Sequence, residues 1–266
     1  MREDNANKDR VLLLMSQIEQ IHDVKVFYAC EAGSRAWGLE SADSDYDIRF
    51  LFYHPLDWYL TIKEKQRDVI EKSVEPNLDL VGWDIRKACQ LARKGNPTLR
   101  EWIWSPYIYG EHYSVLQKLR QIVRAQDDTA PMFYHYFHMA RGQYERYLKG
   151  KPIVSVKKYL YTLRPLLIAK YVLRIADDPS LHTPPMFFNA LVADLIPSGY
   201  LQKALFDLAA KKRAGAELGE MQRDPTLDAF IEQHIDTLDN MRPKKVSGDT
   251  NVYDELFRAV VKGELP

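Results

Sequence analysis

One stretch limits what this chain can fold into more than any other: Gly33-Ser34, then ten intervening residues, then Asp45-Tyr46-Asp47. The run before it, Val26-Phe27-Tyr28-Ala29-Cys30, is short, apolar and rich in strand formers, which predicts a buried strand. Gly33 breaks that pattern. Ser34 to Trp37 then predict a short helix that Gly38 ends. A strand passing through a glycine into a helix start offers backbone N–H groups to an anion. Gly33 has no Cβ to hold a phosphate away, Ser34 adds a hydroxyl, and Arg35 adds a cation. Asp45 and Asp47 lead into the apolar run Ile48-Arg49-Phe50-Leu51-Phe52-Tyr53. In a strand, residues i and i+2 share a face, so the two carboxylates are expected side by side. Two like charges on one face cost stability unless a cation joins them, which favours a functional role. Hard dications such as Mg²⁺ or Mn²⁺ take a few carboxylates together with substrate phosphates. Turn and acid pair together point to nucleotidyl transfer. Arg49 has the same parity as the aspartates, so it neutralises the pair or touches phosphate.

With these residues in view, the segment resembles the DNA polymerase β-like nucleotidyltransferase superfamily, whose motif is a Gly-Ser, a gap of this length, then Asp-hydrophobic-Asp. More narrowly it is similar to the RNA repair pathway polymerase β family of predicted nucleotidyltransferases. That likeness rests on Gly33-Ser34-Arg35-Ala36-Trp37-Gly38, Ser44-Asp45-Tyr46-Asp47-Ile48-Arg49 and Asp57-Trp58-Tyr59-Leu60. Gly82-Trp83-Asp84-Ile85-Arg86-Lys87, Asn96-Pro97, Glu101-Trp102 and Lys158-Tyr159-Leu160-Tyr161-Thr162-Leu163-Arg164-Pro165 extend it, so that it spans residues 24–175.

The resemblance implies an α+β fold: a nucleotidyltransferase core, with a mixed sheet and helices on one side, followed by a mostly helical C-terminal domain. It also implies a metal-dependent enzyme that moves a nucleoside monophosphate from an NTP to an acceptor hydroxyl and releases pyrophosphate. The acceptor is expected to be an RNA end, a small molecule or, in a protein AMP-transferase, a hydroxyl of a partner protein. A non-catalytic nucleotide-binding regulator is the non-enzymatic alternative. A third acidic residue on a neighbouring strand is implied as base and metal ligand. Asp79, in the apolar run Asn77-Leu78-Asp79-Leu80-Val81, is preferred. Asp84 is the alternative, although it also suits a helix N-cap. Their odd spacing keeps one regular strand from aiming both at one face.

A second cluster lies further along. Lys157, Tyr161 and Arg164 are spaced i, i+4, i+7 and so fall on one helix face. A face of cations and an aromatic ring suits phosphate binding and base stacking, with Leu160, Leu163 and Leu167 on the core side.

Lys and Arg equal Asp and Glu at 37 each, so no overall basic field draws a long nucleic acid. The two cysteines, Cys30 and Cys89, form no metal-binding spacing and suit buried positions. No apolar run approaches the roughly eighteen residues of a membrane span, and residues 1–10 are polar, so a cytoplasmic protein without a membrane partner is expected.

Strands are predicted at 24–31, 46–53, 67–74 and 78–81, with helices at 9–21 and 85–94. After residue 112 helical patterns take over, at 114–126, 130–149, 154–176, 184–195, 198–214 and 225–241. A loop at 241–251 precedes a last helix near 252–262. The expected division is a core domain at 1–112 and a helical domain at 113–266.

Overall fold

The computed structural model describes residues 2–62, 68–75, 77–126, 129–178, 181, 183–215, 219–243, 249 and 251–265. Arg67, where the third predicted strand was to begin, and residues 244–248 of the predicted loop lie outside the described residues. In chain order the elements begin with α1 (Arg2–His22), β1 (Lys25–Glu31), α2 (Gly33–Ala36), β2 (Tyr46–Tyr53), α3 (Leu56–Tyr59), β3 (Val69–Glu75) and β4 (Leu78–Asp84). Then come α4 (Ile85–Arg93), α5 (Pro97–Ile103), β5 (Ile108–Glu111), α6 (Tyr113–Ala125), α7 (Ala130–Tyr147), β6 (Ile153–Ser155) and α8 (Val156–Asp177). The chain finishes with α9 (Phe188–Leu195), α10 (Tyr200–Arg213), β7 (Glu220–Gln222), α11 (Pro225–Asp239) and α12 (Asn251–Val261).

The chain divides into two compact units. One comprises Met1–Gly33, Asp45–Asp127 and Gly248–Pro266; the other comprises Ser34–Ser44 and Asp128–Ser247. This differs from the expected single cut at residue 112 in both directions. α6 and α12 stay with the sheet because their apolar stripes are buried there. Val115, Leu116, Leu119, Ile122 and Val123 of α6 join Tyr253, Leu256 and Val260 of α12 in one core with Phe27, Tyr28, Cys30 and Leu51. Segment 34–44 goes the other way, because Leu39 is wholly buried in the helical core.

In the first unit a five-stranded sheet runs in the order β3-β4-β2-β1-β5. It is mixed. β2 and β4 are parallel, whereas β1–β2, β1–β5 and β3–β4 are antiparallel. Strand alternation sends Ala29, Ile48, Phe50, Phe52 and Leu80 to one face, where Val11, Leu14, Met15 and Ile18 of α1 cover them. Tyr28, Cys30 and Leu51 go to the other face, under α4, α5, α6 and α12. Helices therefore cover both faces of the sheet, a correction to the one-sided arrangement that the sequence suggested. β5 and α5 had no clear pattern in the sequence. β5 is short and half-buried, and Asn96 starts α5 by accepting the Leu99 N–H at its side chain, with Pro97 in the first turn.

The second unit is helical apart from the two-stranded β6–β7 ribbon. Its axis is α8, whose Leu160, Leu163 and Leu167 are fully buried among residues of α7, α9, α10 and α11. That core face is the one the leucine spacing predicted.

Gly82 has no room for a side chain. A Cβ there would stand 2.1 Å from a ring carbon of Phe50, itself fully buried. Gly82→Ala is expected to cost about 1–3 kcal/mol, measured by denaturant unfolding. A loss below about 0.5 kcal/mol would mean that the α1 face of the sheet is looser than the packing indicates.

Candidate functional site

The geometry is set by register. β2 and β4 run parallel with Asp47 directly opposite Asp79. Alternation puts Asp47 and Arg49 on one face of β2, and Asp79 on the same face of β4. Two carboxylates thus stand side by side at the start of two neighbouring strands. Arg49 joins them. Its Nη2 donates to Asp47 Oδ1 at 2.8 Å, and its Nη1 donates to Asp79 Oδ2 at 2.9 Å and to the Ile48 carbonyl at 3.0 Å. Arg49 keeps only 16% of its side chain exposed, against 31% for Asp47 and 46% for Asp79.

Asp45 lies one residue ahead of β2 and is exposed, so the acid pair is not carried by one strand as the i, i+2 spacing suggested. The two carboxylates still feel each other. Burial pushes the Asp47 carboxyl above its ordinary value; the Asp79 and Asp45 charges push the same way, while Arg49 opposes them.

Asp47 is fixed from the β1 side as well. Its N–H donates to Glu31 Oε1 at 2.7 Å, and its carbonyl accepts the Ala32 N–H at 2.8 Å. The other Glu31 oxygen accepts the Tyr109 hydroxyl at 2.5 Å. Glu31, only 2% exposed, escaped the sequence reading. Its signal was an acid closing the apolar run Phe-Tyr-Ala-Cys two residues before Gly33. Gly33 adopts φ +62°, and a Cβ there would stand 2.0 Å from Asp47 Oδ2. The turn and the acid are in contact only because residue 33 is glycine.

The Gly33–Ser34 peptide is also where the chain leaves the first unit. α2 is a single turn, in keeping with the short helix expected at Ser34 to Trp37, so any anion affinity there rests on local N–H groups more than on a macrodipole. In the second unit, Arg35 donates to the Ser44 carbonyl at 2.9 Å. The Ser44 hydroxyl accepts the Ser41 N–H at 2.9 Å. Together these contacts close segment 34–44 on itself.

Tyr161 and Arg164 come together on one residue that the sequence did not single out as a site residue, Trp37, and Lys157 lies over Tyr161. The Tyr161 ring meets Trp37 edge-on at 5.9 Å. The Arg164 guanidinium lies 4.1 Å from the Trp37 ring centre, and the Lys157 ammonium lies 5.6 Å from that of Tyr161. Arg164 is buried, with its Nη2 3.4 Å from the Met186 sulfur, and is therefore less open to phosphate than a helix-surface position implied. Trp37 and Gly38 are held in turn, since the Trp37 carbonyl accepts the Phe188 N–H and the Gly38 carbonyl accepts from Arg213.

Asp84 has a structural post. It caps α4 by accepting the Arg86 N–H at 2.8 Å and accepts the Tyr59 hydroxyl at 2.5 Å. Burial, opposed by those two hydrogen bonds, lifts its carboxyl from 3.8 to about 6.

Asp45, Asp47 and Asp79 are hard oxygen donors, the kind that suits Mg²⁺ or Mn²⁺. Their chemistry fits such an ion, and the Asp47 carboxylate occupies the space that a side chain at position 33 would take. As they stand, the oxygens of Asp47 and Asp79 are turned to Arg49. No group of three or more His, Cys, Asp or Glu among the described residues closes on a common point that could hold a metal ion. No helix among the described residues is long and apolar enough to cross a membrane.

Comparison with known proteins shows the family. The chain matches the RNA repair pathway DNA polymerase beta family over residues 8–261. The uncharacterized protein YcgL of Bacillus subtilis (strain 168) is 38% identical over 254 residues, covering 96% of this chain and 95% of that protein. A crystal structure of a nucleotidyltransferase-like protein from Exiguobacterium sibiricum 255-15 aligns over 97% of this chain and 89% of its own, at 13% identity and a TM-score of 0.31. That likeness is too low to bear on the site.

Two outcomes are expected. Gly33→Ala forces a Cβ-bearing residue into the left-handed region and against Asp47, at a cost of at least about 1–2 kcal/mol. Chemical denaturation checks this, and an unchanged midpoint would contradict the close approach. For Asp84, the folded pKa lies above the ordinary one, so the folded protein keeps a proton that the unfolded chain has lost. The stability it contributes is complete below 3.8 and is lost as pH rises through about 6. Relative to Asp84→Asn, the wild type is therefore expected to lose on the order of 2 kcal/mol across that window. Parallel pH profiles for the two proteins would contradict it.

Proposed function

We infer the function from one premise: the chain belongs to the RNA repair pathway DNA polymerase beta family. A nucleotidyltransferase-like function follows at the level of the family. The finer reading is that the protein transfers a nucleoside monophosphate from an NTP to an acceptor hydroxyl. The observation that carries it is the in-register pair Asp47 and Asp79, with Asp47 lying directly over Gly33.

In this reading Asp45, Asp47 and Asp79 would hold Mg²⁺ or Mn²⁺, an ion that neutralises phosphate charge when bound. Gly33, without a side chain, would let a phosphate approach the backbone of the turn. Ser34 and Arg35, the next residues in the chain, supply a hydroxyl and a guanidinium as donors. Within the helical unit, Lys157 and Tyr161 form a cation-and-ring pair, and Arg164, over the Trp37 ring, steadies the segment that begins at Ser34. Asp79 takes the proton of the acceptor hydroxyl. That oxygen bonds to the α-phosphorus, the α–β phosphoanhydride bond breaks, and pyrophosphate leaves. Position and charge supply most of the rate. Glu31 holds the Asp47 backbone and so keeps the acid in place.

The acceptor is proposed to be an RNA end or a protein hydroxyl. The test is incubation with α-³²P-labelled NTPs and Mg²⁺, in the presence of RNA oligonucleotides or a protein extract. Label is expected on one acceptor with release of pyrophosphate, and Asp47→Asn or Asp79→Asn is expected to lower transfer roughly a hundredfold or more. Label on RNA assigns the RNA-end acceptor, and label on a protein band assigns the protein hydroxyl. No transfer above the background of these variants on either acceptor overturns the reading.

A further inference from the structure

Arg49 is in an unusual position for a site residue: it fills the gap that the acids would otherwise share with a dication. Its fork has three acceptors on two strands: Asp47 Oδ1, Asp79 Oδ2 and the Ile48 carbonyl. The Asp79 carbonyl lies 3.4 Å from the same Nη1. A planar guanidinium can span two carboxylates in this way; a lysine ammonium is a point charge and cannot match that geometry. Within the spacing that register fixes, Arg49 therefore holds the two carboxylate groups at a set distance.

The parallel register favours a cation here. Asp47 and Asp79 are opposite neighbours on one face, and Asp45 adds a third negative charge whose effect reaches Asp47. Unscreened, the three would repel. Arg49 is mostly covered, so its charge acts at short range with little competition from water.

We propose that Arg49 is a built-in counter-cation: it holds Asp47 and Asp79 together in the metal-free protein and surrenders at least one of them when a divalent ion binds, so that it sets the metal affinity of the site. The proposal rests on the functional reading above. The same lone pairs serve both cations, which makes the binding competitive. Arg49 keeps the Ile48 carbonyl as a partner after release, so the guanidinium has somewhere to stay. Arg49 is thus a positioning residue whose effect falls on metal binding before any chemistry.

The test is direct binding of Mn²⁺, followed by electron paramagnetic resonance, to wild type, Arg49→Met and Asp47→Asn/Asp79→Asn. Arg49→Met is expected to bind Mn²⁺ roughly tenfold more tightly, the effect of one charge-assisted hydrogen bond no longer competing. It is also expected to melt at lower temperature without metal and to show a larger rise in Tm with saturating Mn²⁺. If wild type binds Mn²⁺ and Arg49→Met binds it equally or more weakly, the competition is refuted and the functional reading stands. If neither binds it better than the Asp47→Asn/Asp79→Asn protein, both fall. Should Arg49→Met fail to fold, wild type decides by ¹⁵N resonance of its arginine side chains. Saturating Mg²⁺ is expected to move the Arg49 guanidinium signals and speed their rotation, whereas unchanged signals overturn the proposal.

Discussion

Two strands running parallel with aspartates in register create a problem that the rest of the site answers. Asp47 and Asp79 are neighbours on one face of the sheet, where their charges repel across a partly desolvated gap. Arg49, from the same face of β2, is drawn into that gap and bonds both. Everything else nearby fixes one of these three residues: Glu31 and Ala32 fix the Asp47 backbone, Gly33 leaves space for its carboxylate, and the Ile48 carbonyl holds the guanidinium. The apolar layers below, with α1 on one face and α4, α5, α6 and α12 on the other, keep the two strands from sliding. A shift of one residue would turn every side chain over.

The path of the chain explains why so short a motif has wide consequences. It leaves the sheet unit after Gly33, spends eleven residues with the helical unit as Ser34–Ser44, and returns at Asp45. The gap between Gly-Ser and the acids is therefore not an idle spacer. Leu39 enters the helical core, Trp37 lies against Tyr161 and Arg164, and the Trp37 carbonyl accepts the Phe188 N–H. Burial of one leucine and one edge-on ring contact anchor the residues that adjoin the proposed phosphate turn on one side and the acids on the other.

Much of the fold was legible because alternation and helical spacing leave plain traces. β2 was predicted at 46–53 and lies at Tyr46–Tyr53; the helix predicted at 85–94 lies at Ile85–Arg93. The pairing of β1 with β5 was not, because β5 is short and its residues are half-buried, so it carries no alternating pattern. The two faces of the sheet were also hidden. α1 showed an apolar stripe, but a stripe does not say which face it covers. Asp79 and Asp84 were left as alternatives by sequence because parity separates their faces without saying which face carries Asp47. Register puts Asp79 opposite Asp47, while Asp84 turns to Tyr59 and the start of α4.

The sequence by itself determined the motif, the strand that carries Asp47, and the helical nature of the second half, since each follows from local pattern and the chemistry of single residues. Membership of the RNA repair pathway DNA polymerase beta family rests on the same information. Only the tertiary structure decided that Asp47 faces Asp79, that Arg49 lies between them, that Glu31 supports them, and that Trp37 gathers Tyr161 and Arg164. Those facts join residues from 16 to 127 positions apart in sequence only where the chain is folded. No local rule encodes such distances; packing and register do.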